Sequence, residues 1–116
     1  MISNELLKGT LKTIILHLLS EHDKMYGYEI TREVEKLSEG KIRLTWGAIY
    51  PTLHKLKADG LIVDEEFNIG KRVRKYYRLT PEGNKTSDIM VEEFAEFLRT
   101  MQQILKPSAG LSLNYG

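Results

Sequence analysis

Leu7, Leu11, Ile14, Ile15 and Leu18 recur at steps of three and four, which puts them on one face and predicts a helix over about residues 4–20. Glu21 to Lys24 is polar and breaks the pattern. Ile30, Val34 and Leu37 then repeat the spacing and predict a second helix ending near Ser38, with Gly40 just beyond as a stop. A third helix follows Thr45, whose hydroxyl suits an N-cap; Ile49, Leu53 and Leu56 form its buried stripe and Gly60 closes it. Pro51 allows two starts. A helix from Trp46 carries Pro51 past its first turn and forgoes one hydrogen bond, whereas a helix from Pro51 leaves residues 46–50 as a turn. The earlier start, with a slight kink, is the favoured reading.

Beyond Gly60 the period changes. Leu61, Ile62 and Val63 read as strand, Asn68-Ile69-Gly70 as a turn, and Val73, Tyr77 and Leu79 alternate with basic residues, so a β-hairpin is expected. Thr80-Pro81-Glu82 combines an N-cap, a first-turn proline and an acid near a helix N-terminus, which predicts a new helix running to about Leu105, before Pro107. The expected fold is therefore mainly α with a β-hairpin wing: a winged helix-turn-helix domain over residues 1–80, a C-terminal dimerisation helix over 81–106, and a flexible tail over 107–116.

Composition narrows the function. A chain of 116 residues supports one modest core, and 41% apolar with 28% charged residues is ordinary for a globular domain. The absence of cysteine excludes disulfides and thiolate chemistry and fits a reducing compartment. No basic run leads into an apolar stretch at the start, and no apolar run could span a bilayer, so a cytoplasmic location without a membrane partner is expected. His17, His22 and His54 have no metal-binding spacing, and neither a nucleophile elbow nor a glycine-rich phosphate loop is present. No catalytic residue, metal or cofactor is expected.

The net charge of +1 conceals a local excess. Lys71, Arg72, Arg74, Lys75 and Arg78 lie in one stretch free of acids, flanked by Asp64, Glu65 and Glu66 before it and Glu82, Asp88, Glu92, Glu93 and Glu96 after it. Alternation puts Arg72, Arg74 and Arg78 on a solvent face of one strand and Val73, Tyr77 and Leu79 on the core face. A helix fits the major groove of duplex DNA, and a basic hairpin beside it can supply phosphate contacts that fix register. With Ile49, Leu53 and Leu56 inward, the third helix is expected to turn Thr45, Ala48, Thr52, Lys55 and Tyr50 outward. Thr45, Thr52 and Lys55 are then candidate major-groove contacts, Tyr50 a backbone or base contact, and Lys71, Arg72 and Arg74 phosphate contacts. The plainer alternatives are a solvated helix face and a charged edge strand that resists aggregation.

The runs Gly47-Ala48-Ile49-Tyr50-Pro51-Thr52-Leu53-His54-Lys55-Leu56, Gly60-Leu61-Ile62 and Arg74-Lys75-Tyr76-Tyr77-Arg78-Leu79-Thr80-Pro81-Glu82-Gly83 resemble the signature of PadR-type transcriptional regulators. Leu7-Lys8-Gly9-Thr10-Leu11 and Tyr26-Gly27-Tyr28-Glu29-Ile30 are similar to that family's first and second helices. The resemblance implies a homodimeric repressor, often of a neighbouring stress, detoxification or efflux gene, relieved by a small molecule in several members. It also implies a proline within the recognition helix.

In the final helix Met90, Phe94, Phe97, Met101 and Ile104 step by four, three, four and three, an a/d seam, with Glu92, Glu93 and Glu96 off it. Such a seam must pack on its own domain or on a second subunit. Homodimerisation is the stronger reading and suits a palindromic operator, whose half-sites lie about one helical turn, roughly 34 Å, apart. Phe94, Phe97 and Met101 are candidate effector-binding residues for a small apolar or aromatic compound, the alternative being simple core packing. A winged-helix protein-interaction adaptor without sequence-specific DNA binding is the alternative from another class.

Overall fold

The computed structural model describes residues 2–106; the expected tail over 107–116 lies outside the described residues. The first expected helix is two: α1 (Asn4–Leu7) and α2 (Leu11–Glu21). Both the backbone N–H and the hydroxyl of Thr10 donate to the Leu7 carbonyl, at 2.8 and 2.9 Å. That carbonyl is thereby taken by a residue three positions on, and the ladder breaks at Lys8-Gly9-Thr10.

A short strand, β1 (Met25–Tyr26), comes before α3 (Gly27–Leu37). The sequence reading did not anticipate it, because two residues carry no alternation. Leu37, expected on the buried stripe, is exposed; Ile42 and Leu44 of the following loop pack against that end of the core instead. α4 (Trp46–Ala58) starts early, with Pro51 inside it and the Thr45 hydroxyl accepting from the Ala48 N–H at 3.2 Å. Gly60, at φ 76°, ends it.

β2 (Ile62–Ile69) and β3 (Arg72–Leu79) pair along their full length, and β1 joins the other edge of β3, giving an antiparallel sheet of order β1-β3-β2. The turn is Gly70-Lys71, not Asn68-Ile69-Gly70: Asn68 and Ile69 continue the strand opposite Val73 and Arg72. Gly70 has φ 62°, which suits the first central position of a type II′ turn, so the glycine opens the loop. Val73, expected on the core face, is exposed because the hairpin tip stands clear of the body.

α5 (Pro81–Leu105) is capped by the Thr80 hydroxyl, which accepts from the Gly83 N–H at 3.0 Å and donates to the Gly60 carbonyl at 2.8 Å. A Cβ at Gly83 would land on the Leu61 carbonyl oxygen, so only glycine lets α5 start this close to β2. Ile15, Leu16, Ile30, Ile49, Leu53, Leu56 and Ile62 form the fully buried centre, with Met25 and Tyr77 closing the sheet side. The first turns of α5 lie on α2, burying Ser87 and half-burying Met90. At about 1.5 Å per residue its 25 residues extend roughly 37 Å. Among the described residues, no helix is long and apolar enough to cross a membrane.

Candidate nucleic-acid interface

The rotation of α4 is fixed by Ile49, Leu53 and Leu56, each 0% exposed. At 100° per residue the opposite crest is Gly47, Pro51 and Ala58, flanked by His54 on one side and Lys55 on the other, all exposed. The expected contact residues lie around this crest. Thr45 is exposed, with its hydroxyl engaged as the cap. Tyr50 is exposed on one flank, its ring 5.1 Å from that of Trp46 and 6.3 Å from that of His54. Lys55 is exposed beside the crest, its Nζ 3.0 Å from an Asp59 carboxylate oxygen. Thr52 and Ala48, expected to point outward, are half-buried on the other flank, where they line a groove with Asn4, Lys8 and Leu44. They sit next to the buried stripe on the side that α1 approaches. His54 was not among the expected contacts, although a wheel centred on the buried stripe would have placed it on the outward half beside the crest, as it does Lys55.

At the wing, Lys71 occupies the turn and Arg72 opens β3, both exposed. Arg74 behaves differently from the expected solvent-facing arginine row. Its guanidinium lies 4.1 Å from the centre of the Tyr26 ring. The Tyr76 ring meets Tyr26 and Phe67 edge-on at 5.3 and 5.2 Å, and the Lys24 ammonium lies 4.9 Å over Phe67. A hydrogen bond to the Tyr76 side chain is the main cause that raises the Arg74 pKa above its ordinary value. The register explains the cluster: Phe67 pairs with Arg74 and Tyr26 with Tyr76, so aromatic groups from both outer strands share the arginine face. Arg78 is exposed but paired with Glu65 at 3.1 Å.

Between α4 and the hairpin lies a cleft lined by Tyr50, His54, Lys57, Asp64, Lys75 and Tyr77. An Asp64 oxygen is 3.0 Å from the Lys57 ammonium and 3.8 Å from that of Lys75, so one carboxylate ties the helix to the wing. Burial, with the Asp64 charge second, pushes the Tyr77 hydroxyl above its ordinary pKa. The sequence reading missed Lys57 as a member of this surface, since its partner is seven residues away on another element. At the start of α4, the Trp46 ring lies against Gly27, where an added Cβ would overlap it; this packs α4 onto α3. Among the described residues, no group of three or more His, Asp or Glu side chains could hold a metal.

The expected α5 seam divides. Met90 packs on its own core, Phe94 and Met101 are partly exposed, and Phe97 and Ile104 are 50% and 66% exposed. The Phe94 and Phe97 rings are 5.7 Å apart. Val91, Leu98 and Leu105, also exposed, widen the apolar face. Any cavity at Phe94, Phe97 and Met101 would need a second chain to enclose it.

Comparison with known proteins places these features among relatives. The family model described as "Transcriptional regulator PadR-like family" matches residues 15–88. The chain is 38% identical to transcriptional regulator Rv3488 of Mycobacterium tuberculosis over 79 residues, 68% of this chain and 70% of that protein. Among solved structures it is similar to a transcriptional regulator from Clostridium thermocellum, with a TM-score of 0.80 and 29% identity over 89% of this chain and 97% of that one. A PadR family transcription regulator from hypervirulent Clostridium difficile R20291 matches with a TM-score of 0.71 and 29% identity, covering 84% of this chain and 99% of that one.

Proposed function

The chain belongs to the PadR-like family of transcriptional regulators, and from that premise we propose that it acts in the cytoplasm as a homodimeric repressor of a palindromic operator. The observation that carries the reading is the arrangement of α4. Its inner stripe is wholly buried, and its outer crest is built of small residues with a basic wing turn on the same domain. A crest of that kind lets the helix backbone approach base edges, while charge at the rim neutralises phosphates.

The roles divide accordingly. Tyr50, Lys55, Thr45 and Thr52 border the crest and contact bases or nearby backbone, with Thr52 reached at the groove beside Lys8. Lys71 and Arg72 contact phosphates. Arg74 holds the wing to β1 through Tyr26, so its contribution to phosphate binding comes through wing position. Residues 1–80 form the DNA-binding unit and 81–106 the dimerisation helix, although the first turns of α5 also complete the core. Phe94, Phe97, Met101 and Ile104 pack across the two-fold axis, where a planar apolar effector binds between the two copies of Phe94, Phe97 and Met101 and releases the protein from DNA. The adaptor alternative is not favoured by these relatives.

The test is fluorescence anisotropy of the full chain on the duplex upstream of its own gene and on a scrambled duplex, across a salt series. The expected result is selective binding that weakens steeply with salt. Equal, weak binding to both, repeated with duplexes from the neighbouring genes, would overturn the reading.

A further inference from the structure

We infer that His54 is a specificity-determining residue, a side chain flanking the α4 crest that hydrogen-bonds a base edge; the inference rests on the DNA-binding reading above. Three observations converge on it. Gly47, Pro51 and Ala58 of the crest have side chains that neither donate nor accept a hydrogen bond, so direct readout there falls to the flanking side chains, of which His54 is one. Secondly, the Lys55 ammonium is 3.0 Å from Asp59 and the Thr45 hydroxyl accepts from the Ala48 N–H, so each has a protein partner to exchange on contacting DNA, whereas the His54 ring makes no hydrogen bond among the described residues. Thirdly, the imidazole is held in place. It stacks on Tyr50 at an interplanar angle of 27°, and Tyr50 in turn leans on Trp46, whose ring rests against Gly27 of α3. This ladder of three rings at four-residue steps connects the reading group to the packed body, which restricts the ring before DNA arrives.

The chemistry of the contact follows from the ring. An imidazole offers an N–H donor from one nitrogen; adenine N7 and thymine O4 also accept in the major groove, but only guanine presents two adjacent acceptors, N7 and O6, to one donor. His54 is therefore assigned to a guanine in each half-site. In the cleft beside it, Lys57 and Lys75 share Asp64, which holds both ammonium groups beside the wing, away from the crest.

The experiment is selection from a random duplex library by the wild-type chain and by His54→Ala, His54→Gln and Tyr50→Leu, with thermal unfolding of each. The wild type is expected to select a symmetric consensus with one guanine per half-site that H54A no longer prefers, discrimination there falling about 2- to 10-fold. Positions elsewhere in the consensus should be unchanged, and the exposed substitution should leave unfolding unaltered. H54Q, which keeps a donor and an acceptor, should shift the preferred base toward adenine. Y50L should weaken discrimination at the same position by a smaller factor. If H54A selects the wild-type consensus with undiminished discrimination, the assignment to His54 fails while the DNA-binding reading stands. If the wild type selects no consensus, both fail.

Discussion

Gly47→Ala separates stability from binding at a single atom. Gly47 is the second residue of α4, and a Cβ there meets nothing closer than the Thr45 hydroxyl at 3.9 Å. The methyl fits the protein freely, and replacing glycine by alanine in a helix stabilises it by about 0.5–1 kcal/mol, chiefly by restricting the unfolded chain. The melting temperature should rise by roughly 2–6 °C at fixed protein concentration. The same methyl projects from the crest toward the bases. If the backbone approaches closely, inserting a methyl between packed surfaces should cost about 1–3 kcal/mol, or roughly 5- to 150-fold in affinity. Thermal unfolding and anisotropy on a selected duplex measure the two effects separately. A variant that is more stable and binds as well as the wild type would refute the orientation assigned to α4. One that loses stability would refute the open space around Gly47.

Phe97→Glu should abolish the dimer while leaving the fold intact, since half the ring is already exposed in the single chain and a carboxylate in the seam carries a desolvation penalty; sedimentation velocity should show at least a 100-fold weaker self-association, and an unaltered dimer would count against the seam. Arg74→Ala should lower the melting temperature through loss of the contact over Tyr26 and leave the salt slope of DNA binding unchanged, whereas Arg72→Ala should reduce that slope by about 1. A slope that falls equally in both would make Arg74 a direct phosphate contact. Burial raises the Tyr77 pKa above the ordinary value of 10.0, so the folded state holds this proton more tightly than the unfolded one. Its contribution is complete below pH 10 and declines as pH rises toward the folded-state value; urea titrations from pH 8 to 11 should show a shallower decline for Tyr77→Phe, and identical declines would contradict the assigned cause.

The helices and the wing were legible because each leaves a periodic or capping signal. Ile49, Leu53 and Leu56 mark α4, Thr45 and Thr80 cap their helices, and the alternation through β3 sorts Tyr77 from Arg78. What escaped depends on long-range pairing. β1 exists only because Met25 and Tyr26 meet Tyr77 and Tyr76, and Arg74 leaves the expected solvent row because the same pairing brings Tyr26 beneath it. The break in the first helix is a local exception, set by a threonine hydroxyl competing for the Leu7 carbonyl. For the candidate interface, periodicity gives the buried stripe of α4, but the outward positions expected from it lie too close to that stripe. Ala48 and Thr52 stand beside the core, and His54 stands on the outward half. The α5 seam was legible as a repeat, yet the periodicity could not tell that Met90 serves its own domain while Phe97 and Ile104 are left exposed.

The central claim is that two copies of α4 enter successive major grooves on one face of the duplex. Dimethyl sulfate protection of guanine N7 on a selected duplex, with the full chain bound, tests it most directly. Two protected clusters centred about 10 base pairs apart, related by two-fold symmetry, are predicted. A single protected cluster, or uniform reactivity along a saturated duplex, would contradict it.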